Sequence, residues 1–470
     1  MVASSPKDAL AALWECAGLG DRPIPAVRFA GADPVLPSSF AIGTAAAATI
    51  GAVGAAAASL HQQRGGPSQS LAVDLHHAAT EFRSERHQLV DGGPAPELWD
   101  DLAGAYPTGD KRWVRLHTNF AHHRQGVLDI LGCAPTRDAV AAALTTWKAE
   151  QFEAEADRRG LVVAMQRTAT EWVQHPQAQA LQTLPVITLE RIGDAPAQPL
   201  APAGAQPLSG LRVLELTRII AGPVGGRALA GHGADVLYVT SPNLPAMAPL
   251  VIDGGRGKRS AFVDLEAVGD VERLRALAAE ADVFIQGYRP GGLTQRGFGP
   301  EALAERKPGI ICVSLNAYGH VGPWAGKRGF DSLVQTATGI NADEAAAEAG
   351  KAPDPSVKPR PLPCQALDHA SGYLIAFGAI AAKLRQSQEG GSWHVRVSLA
   401  QTGQWLRTLG RVEDGIGFAE PTAEMLEPLF ESQSSGFGTL TSVSHAARMC
   451  ETPVRWALPS VPLGTHAPEW

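Results

Sequence analysis

One acidic side chain, Asp368, stands at the start of a long apolar segment, within the sequence ALDHASGY. An aspartate at a helix start has two interpretations. It caps the first turn, a role that stabilises a helix by about 1 kcal/mol, or it acts as a nucleophile. The positive end of a helix dipole keeps a carboxylate ionised, and an ionised carboxylate can attack an activated acyl carbon. The residue type and its position leave both roles open.

An internal repeat contains this segment twice. When residues 54–75 are laid on residues 378–399, ten positions are identical without a gap. Alanine-rich helices match easily by composition, but this match continues through a glycine turn into the following strand, which favours a true duplication. In this alignment Thr44 takes the place of Asp368, so only the second copy has a carboxylate there.

Basic loops follow several predicted strands in the second half of the chain. One reads RGKRS over residues 256–260, and another reads YRPGG over residues 288–292. Lys and Arg side chains at strand ends suit a ligand with several phosphates. Taken singly, each is also an ordinary solvated surface charge.

A glycine-rich turn, TRIIAGPVGG at residues 217–226, lies between a predicted strand and a predicted helix. Such a turn lets the backbone approach a phosphate or an adenine group. A nicotinamide dinucleotide is not favoured, because the spacing is not GxGxxG and Pro223 interrupts it. The next strand also ends at Thr240 instead of an acidic residue that would bind a ribose.

The elements that must position these residues alternate between strand and helix. Since a parallel sheet needs a helical crossover between strands, the alternation predicts an α/β fold with right-handed crossovers and a parallel sheet covered on both faces. A ligand is then expected at the carboxyl ends of the strands. The predicted strands are residues 211–216, 234–239, 281–285 and 309–315, and the predicted helices are residues 223–229, 271–279 and 300–306.

Two further segments bear on the organisation of the chain. Residues 194–210 hold four prolines and almost no charge, the composition of an extended linker. Residues 41–60 carry no charge and are long enough to cross a bilayer. Their Ala, Gly and Thr content favours a closely packed buried helix instead, so no membrane association is expected.

Composition argues against several classes of function. The net charge is −7, and no stripe of Lys and Arg offers the counterion release that drives nucleic-acid binding. The five cysteines form no CxxC pair, which favours a reducing, cytoplasmic location. Two groups of histidines lack the Cys or carboxylate spacing of a metal site, so no metal is expected at them. These groups are His76, His77 and His87, and His117, His122 and His123.

Five motifs follow one another between residues 208 and 402: LRVLELTRIIAGPVGGRALAGHGADVL, GRGKRSAFVDL, ADVFIQGYRPGGLTQRGFGPEAL, GIICVSLNAYGHVGPWAGKRGFDSLVQTATG and ALDHASGY. In these motifs and in the tail PLGTHAPEW the chain resembles family III CoA-transferases, of the formyl-CoA and carnitine CoA-transferase type, whose relatives include α-methylacyl-CoA racemases. The first half is similar to other parts of the same family. Residues 38–78 resemble its linking helix and strand, and residues 105–131 and 167–191 resemble its small domain.

The resemblance implies a rearranged domain order, with the small domain ahead of the Rossmann-like domain and the linking helix present twice. The implied fold is α/β, with a Rossmann-like parallel sheet domain and a smaller α+β domain. The expected divisions are an N-terminal helix and lead-in (1–35), a partial CoA-transferase region without the catalytic aspartate (36–193), the linker (194–210), the Rossmann-like CoA-binding and catalytic domain (211–420) and a C-terminal return segment (421–470).

The resemblance also implies an enzymatic activity. In this family an aspartate, here Asp368, attacks an acyl-CoA thioester to give a mixed anhydride; CoA thiolate returns to give an aspartyl-CoA thioester, and the acceptor carboxylate repeats the sequence in reverse. The N–H groups of Ala370, Ser371 and Gly372 are expected to stabilise the tetrahedral intermediates. CoA is a substrate, no cofactor is expected to be permanently bound, and a homodimer is expected. The residues expected to contact CoA are Arg218, Ala221, Lys258, Tyr288, Arg289, Arg296 and Arg328.

Two alternatives stay open. A racemase of this fold uses a histidine in a GHD motif, and the corresponding residues 329–331 read GFD here. His369, beside Asp368, is expected to be a surface or packing residue. A non-catalytic paralogue is suggested by the rearranged order, by Thr44, and by residues 238–242, which read YVTSP and lack the acidic and basic residues usual in the family.

Overall fold

The computed structural model describes residues 4–94, 96–289 and 291–470. Residues 1–3, Ala95 and Pro290 of the YRPGG loop lie outside the described residues. The helices are α1 (Pro6–Cys16), α2 (Ile42–Gln63), α3 (Leu75–Glu81), α4 (Ala121–Leu131), α5 (Arg137–Leu144), α6 (Ala149–Arg158), α7 (Ala169–Gln174), α8 (Pro176–Leu181), α9 (Ala221–Gly231), α10 (Ala248–Gly254), α11 (Val268–Glu280), α12 (Pro300–Arg306), α13 (Asp331–Ala337), α14 (Ile340–Ala349), α15 (Ala366–Glu389), α16 (Leu399–Thr408) and α17 (Ala423–Leu426). The strands are β1 (Val27–Ala30), β2 (Leu71–Asp74), β3 (Leu89–Val90), β4 (Gly93–Pro94), β5 (Gly104–Pro107), β6 (Trp113–Leu116), β7 (Val163–Met165), β8 (Ile187–Gly193), β9 (Arg212–Leu216), β10 (Asp235–Thr240), β11 (Arg259–Phe262), β12 (Val283–Gln286), β13 (Ile311–Asn316), β14 (Ser392–Ser398), β15 (Phe430–Ser435), β16 (Gly438–Val443) and β17 (Ala447–Met449).

The main sheet has seven strands in the order β11-β10-β9-β12-β13-β14-β8. Its first six strands run parallel, and the four strands predicted from apolar runs appear as β9, β10, β12 and β13. The predicted α/β fold is therefore confirmed. Two features differ from the expectation. The last strand, β8, comes from the first half of the chain and pairs antiparallel with β14, and Arg259 and Ser260, expected in a loop, begin strand β11.

Both faces of this sheet are buried, as the near-continuous apolar strands require. Val213 packs in the core that holds α9 and α15, whereas its neighbour Leu214 packs in the core that holds Leu274 of α11 and Leu303 of α12. Successive side chains of a strand point to opposite faces, so each strand contributes to both cores.

Helices α2 and α15, the two copies of the repeat, pack against each other at the centre of the molecule. Their small residues allow close approach to a strand. A Cβ atom on Gly378 would lie 2.6 Å from Val395 Cγ1, and one on Gly54 would lie 2.7 Å from Leu71 Cδ1. These two contacts are equivalent in the repeat, so the duplication inferred from the sequence is confirmed in three dimensions.

The duplication extends to the sheets. In a three-stranded sheet, β2 pairs parallel with β1 and antiparallel with β17. In the main sheet, β14 pairs parallel with β13 and antiparallel with β8 in the same manner. In each sheet the antiparallel edge strand is supplied by the other half of the chain. The two halves therefore exchange one strand each.

A smaller α+β unit lies within the first half. Strands β5, β6 and β7 form an antiparallel sheet, and α4, α5 and α6 cover it around a separate core that contains Tyr106, Val127 and Phe152. This unit contains residues 105–131, as expected for the small domain, whereas residues 167–191, also expected there, form α7, α8 and most of the main-sheet strand β8.

The proline-rich segment 194–210, predicted to be a linker, contains no helix or strand. It is nevertheless fixed in place. The Arg64 guanidinium, just after α2, donates hydrogen bonds to the carbonyl oxygens of Ala201 (2.9 Å), Pro202 (2.9 Å), Pro207 (2.9 Å) and Ser209 (2.8 Å).

Helix α2 has the length and hydropathy of a membrane span. Among the described residues it is the one helix with these properties. All of its most apolar window is buried inside the protein. The closely packed helix favoured by the Ala and Gly content is the observed state.

Candidate active site

Asp368 is the third residue of α15, with 7% of its surface exposed. It does not cap the helix. The residue before the helix is Gln365, and the first-turn N–H groups of Leu367 (2.8 Å) and Asp368 (2.9 Å) instead donate to Asp331 Oδ2. Because Asp331 performs the capping role, the carboxylate of Asp368 is left for another purpose.

The first copy of the repeat has an equivalent capping aspartate but no acid at the position of Asp368. Asp33 accepts hydrogen bonds from the N–H groups of Gly43 and Thr44, each at 2.8 Å. These residues correspond to Leu367 and Asp368 in the repeat. The helix start is thus conserved between the two copies, and Thr44 stands where the second copy has its acid.

The surroundings of Asp368 favour its neutral form. Burial raises its pKa well above the usual value, and the carboxylates of Asp331 and Glu85 raise it further. Burial also raises the pKa of Asp331 to about 6, although three hydrogen bonds oppose the shift. The pKa of Asp368 is therefore raised, and not lowered as the helix dipole alone would have it, because burial and two like charges oppose the dipole.

His369 is not a surface residue. It is fully buried, its Nε2 lies 2.9 Å from Glu85 Oε2, and its ring stacks on Phe82 at 5.5 Å between centroids. The expected packing role is the observed one. The contact ties α15 to the first half of the chain, directly beside the catalytic candidate.

A cavity of about 760 Å³ opens at the carboxyl ends of the parallel strands, and Asp368 forms part of its wall. The loops after the five parallel strands β9 to β13 supply most of the lining, where a doubly covered sheet was expected to bind its ligand. Six of the seven residues expected to contact CoA lie in this wall. They are Arg218, Ala221, Tyr288, Arg289, Arg296 and Arg328.

The first half of the chain completes the same wall through Phe120, His122, His123 and Val162. The Arg218 guanidinium lies 5.1 Å from the centre of the Phe120 ring. Composition and spacing gave no sign of this role for the histidines. The resemblance of residues 105–131 to a small domain was the signal that could have placed them here.

Lys258, the seventh residue, lies outside the lining of the large cavity. It is 2% exposed, its Nζ is 2.7 Å from Glu215 Oε2, and it donates a hydrogen bond to the carbonyl oxygen of Pro223 at 2.7 Å. Its charge is therefore already paired in the interior. It lines a small adjoining cavity of about 30 Å³ that shares Arg218 and Thr240 with the large cavity, so its expected contact with CoA stays a prediction.

Ala370, Ser371 and Gly372 do not face the cavity. They lie beyond the first four residues of α15, where each N–H donates to a carbonyl one turn earlier. The Ser371 hydroxyl bonds to Thr402 Oγ1 at 2.7 Å, and a Cβ on Gly372 would lie 2.6 Å from Val224 Cβ. These residues pack α15 against its neighbours, and we do not retain them as oxyanion donors.

A second, small cavity of about 40 Å³ lies on the other side of Asp368, which lines both cavities. Its wall combines both halves of the chain, with Arg86, Trp99 and His117 from the first and Phe330 from the second. His117 stacks on Phe330 at 3.9 Å between ring centroids. Burial, aided by Arg115, lowers the pKa of His117 to about 3.

Ile219 lies in the wall of both cavities and has a φ of 72°. A β-branched residue is strained in this left-handed region. Such strain is typical of functional sites, where the surrounding structure holds it.

Within the described residues, no group of three or more His, Cys, Asp or Glu side chains is arranged to hold a metal ion. The histidines of the two sequence groups have other surroundings: His77 Nε2 bonds to the carbonyl oxygen of Ser444 at 2.9 Å, and His122 and His123 line the large cavity.

Comparison with known proteins places this site in context. Residues 27–201 and 208–422 match the family model of CoA-transferase family III. A probable fatty acyl-CoA transferase of Mycobacterium tuberculosis, Rv3272, is 32% identical over 269 residues, which cover 53% of this chain and 64% of the relative. An acyl-CoA transferase of Gibberella moniliformis is 29% identical over 422 residues, which cover 79% of this chain and 72% of the relative.

A crystal structure of the Mycobacterium tuberculosis protein Rv3272 aligns with a TM-score of 0.39 at 33% identity, covering 43% of this chain and 57% of that one. The chain thus spans less than two thirds of the Rv3272 protein in either comparison. The family match, in contrast, extends over both halves of the chain and includes every residue of the large cavity wall. This chain belongs to CoA-transferase family III.

Proposed function

We propose that this protein is a CoA-transferase that moves CoA from an acyl-CoA donor to a carboxylic acid, with Asp368 as the covalent nucleophile. One observation carries the proposal. Asp368 stands where a basic cavity large enough for a nucleotide-bearing thioester meets a small polar cavity. Among the described residues, no group donates a hydrogen bond to its carboxylate, so the side chain is free to react.

The reaction proceeds through two exchanges at this side chain. The Asp368 carboxylate attacks the thioester carbonyl, a C–O bond forms, the C–S bond breaks and CoA leaves as thiolate. The thiolate then attacks the Asp368 carbonyl of the anhydride, which gives an aspartyl-CoA thioester and releases the donor acid. An acceptor carboxylate reverses these steps and leaves with CoA. The thioester energy is conserved throughout because each step is a transfer.

The large cavity offers the charges that CoA requires. Arg218, Arg289, Arg296 and Arg328 lie in its wall, and arginine binds phosphate through two parallel hydrogen bonds. Burial lowers the pKa of Arg328, and the positive charge of Arg289 lowers it further because the two side chains are close together. We propose that these arginines hold the phosphates of CoA and that residues 211–420 form the CoA-binding domain.

The first half of the chain has a separate task in this proposal. Its residues 36–193 supply the small unit that closes the cavity, and they lack a nucleophile because Thr44 replaces the acid. We also propose a cytoplasmic location, which fits the five unpaired cysteines. No cofactor is needed beyond CoA itself.

The racemase alternative is not favoured by the site. His117 reaches the small cavity, but a pKa of about 3 makes its imidazole a weak base for removing a proton from an α-carbon. His122 and His123, which line the large cavity with Asp368, also have pKa values lowered by burial, to about 4 for His123, so they too are weak bases.

Trapping the intermediate tests the proposal. Full-length protein is incubated with a series of acyl-CoAs and quenched with hydroxylamine or borohydride, and its peptides are analysed by mass spectrometry. We expect a label on Asp368 and none after Asp368→Asn. Turnover of the Asp368→Asn variant at the wild-type rate would refute the nucleophile, and a protein unlabelled by all donors would support the non-catalytic paralogue.

A further inference from the structure

The small cavity contains polar atoms that the protein itself does not satisfy. Three of its lining side chains have a buried atom without a hydrogen-bond partner in the described structure: His117 Nδ1, Ser332 Oγ and Gln365 Oε1. Nearly all buried polar atoms in folded proteins are hydrogen-bonded. Three unpartnered atoms around one cavity, beside a reactive carboxylate, indicate a polar ligand.

The size of the cavity limits that ligand. Its volume is about 40 Å³, and one water molecule requires about 10–15 Å³ on this measure. The cavity therefore holds about three water-sized groups beyond Asp368. Leu98, Ile220 and Phe330 close part of the wall, so a long acyl chain does not fit in this direction.

The charges around the cavity select its chemistry. Burial alone would raise the pKa of Glu85, but the adjacent His369 brings it below the usual value, so Glu85 is ionised. Arg86 is the one Arg or Lys among the described lining residues, and it is already engaged with Glu85 at 3.4 Å and with the carbonyl oxygen of Pro363 at 2.9 Å. A second carboxylate on the ligand would meet like charge here.

The unpartnered oxygen of Gln365 is a hydrogen-bond acceptor. Its complement is a group that donates a hydrogen bond without carrying negative charge. On a short carboxylic acid, a hydroxyl group meets this requirement and the size limit together.

We propose that the small cavity is the acyl subsite and that it selects a hydroxy acid of three or four carbons, whose hydroxyl donates to Gln365 Oε1. This inference depends on the proposed function, because the carboxyl group of the acid is taken to react at Asp368. It adds the class of acid, which the large cavity does not define.

Acceptor competition tests the inference. The full-length protein is supplied with an acyl-CoA donor and with 2-hydroxypropionate, 3-hydroxypropionate, propionate or succinate as acceptor. We expect kcat/KM for one of the hydroxy acids to exceed that for propionate and succinate at least tenfold, since a buried acceptor left unpaired penalises the analogue that lacks the hydroxyl. Equal or better use of propionate or succinate would overturn the inference.

A matched pair of variants assigns the preference to the cavity. Gln365→Met removes the acceptor at similar size and should bring the ratio between hydroxy acid and propionate close to one. Gln182→Met changes an exposed glutamine that lines neither cavity and should leave the ratio unchanged. An unchanged ratio in Gln365→Met would contradict the assignment to this side chain.

Binding separates a failure of the subsite from a failure of the proposed function. Ligand-observed NMR measures association of 2-hydroxypropionate, 3-hydroxypropionate and propionate with the Asp368→Asn protein in the presence of CoA. If no acid supports CoA transfer, the proposed function fails, yet tighter binding of a hydroxy acid would still support the subsite. Equal binding of the hydroxy acids and propionate would overturn the subsite whether or not CoA is transferred.

Discussion

Asp368 and Asp331 share the buried start of α15, and their charges act on each other. Asp331 holds the N–H groups of the first turn, so it positions Asp368, while its carboxylate also raises the pKa of Asp368. A nucleophilic carboxylate must be ionised. In the proposed mechanism the site therefore combines a well-positioned carboxylate with a raised pKa.

The first prediction concerns pH. Since Asp368 reacts only when deprotonated and its pKa is raised, kcat/KM should rise with pH along a limb centred well above the usual aspartate range. Asp331→Asn keeps an oxygen for the N–H groups and removes a charge, so the limb should move to lower pH. A pH–rate profile measures this. Asp33→Asn, the equivalent change in the first copy, should leave the limb in place, and an unmoved limb in Asp331→Asn would contradict the coupling.

Lys258 provides the second prediction at this scale. Glu215 is fully buried and pairs with Lys258 at 2.7 Å, so Lys258→Met leaves an unpaired interior charge. We expect a loss of about 3–5 kcal/mol in the free energy of unfolding, measured by urea denaturation. A protein of wild-type stability that binds CoA weakly would instead show that Lys258 contacts the ligand.

Much of the residue-level site was predictable from motifs, and the exceptions have physical causes. The arginines of the large cavity follow strand ends, and their order along the chain identified them. Burial is not visible in sequence, so Lys258 looked like its solvated neighbours. The oxyanion assignment failed because α15 begins before Asp368, at Ala366, which places Ala370 and the two residues after it inside the helix.

At the scale of elements, α2 and α15 each approach a strand closely at a glycine. Gly378 meets Val395 and Gly54 meets Leu71 at equivalent points of the repeat. This equivalence explains why the repeat was detectable in the sequence: the positions that allow helix-to-strand contact tolerate few residues.

The third prediction follows from this contact. Gly378→Ala places a Cβ 2.6 Å from Val395 Cγ1, and we expect a loss of about 1–3 kcal/mol from overpacking. Gly269→Ala serves as a control because no atom lies within 4 Å of a Cβ there and alanine favours a helix. Thermal unfolding compares the two. Equal melting temperatures for the two variants would contradict this prediction, because they would show that α15 accommodates the added methyl group without loss of stability.

Strand and helix positions in the second half followed from local patterns, whereas pairing between distant segments did not. Apolar runs predicted β9, β10, β12 and β13 because each is buried on both faces. The antiparallel strand β8 is half exposed and comes from the far side of the linker. No local pattern specifies its partner.

For the whole molecule, the two walls of the active site come from one chain. The resemblance to a family of dimers predicts a homodimer, yet the large cavity is lined by both halves of this single polypeptide. Duplication has therefore placed within one chain two related halves that pack through α2 and α15.

The fourth prediction is that activity per chain does not depend on association. We expect specific activity to stay constant on dilution while light scattering reports the mass, with 49.2 kDa for one chain. A fall in specific activity that accompanies dissociation would show that a second chain completes the site.

The exchange of strands between the halves makes the molecule hard to divide. A polypeptide cut within residues 194–210 would yield one fragment that lacks β17 beside β2 and another that lacks β8 beside β14. Each fragment would expose an open sheet edge, and such edges aggregate. Soluble fragments are therefore expected only when both are produced together and can reassemble as complementing partners.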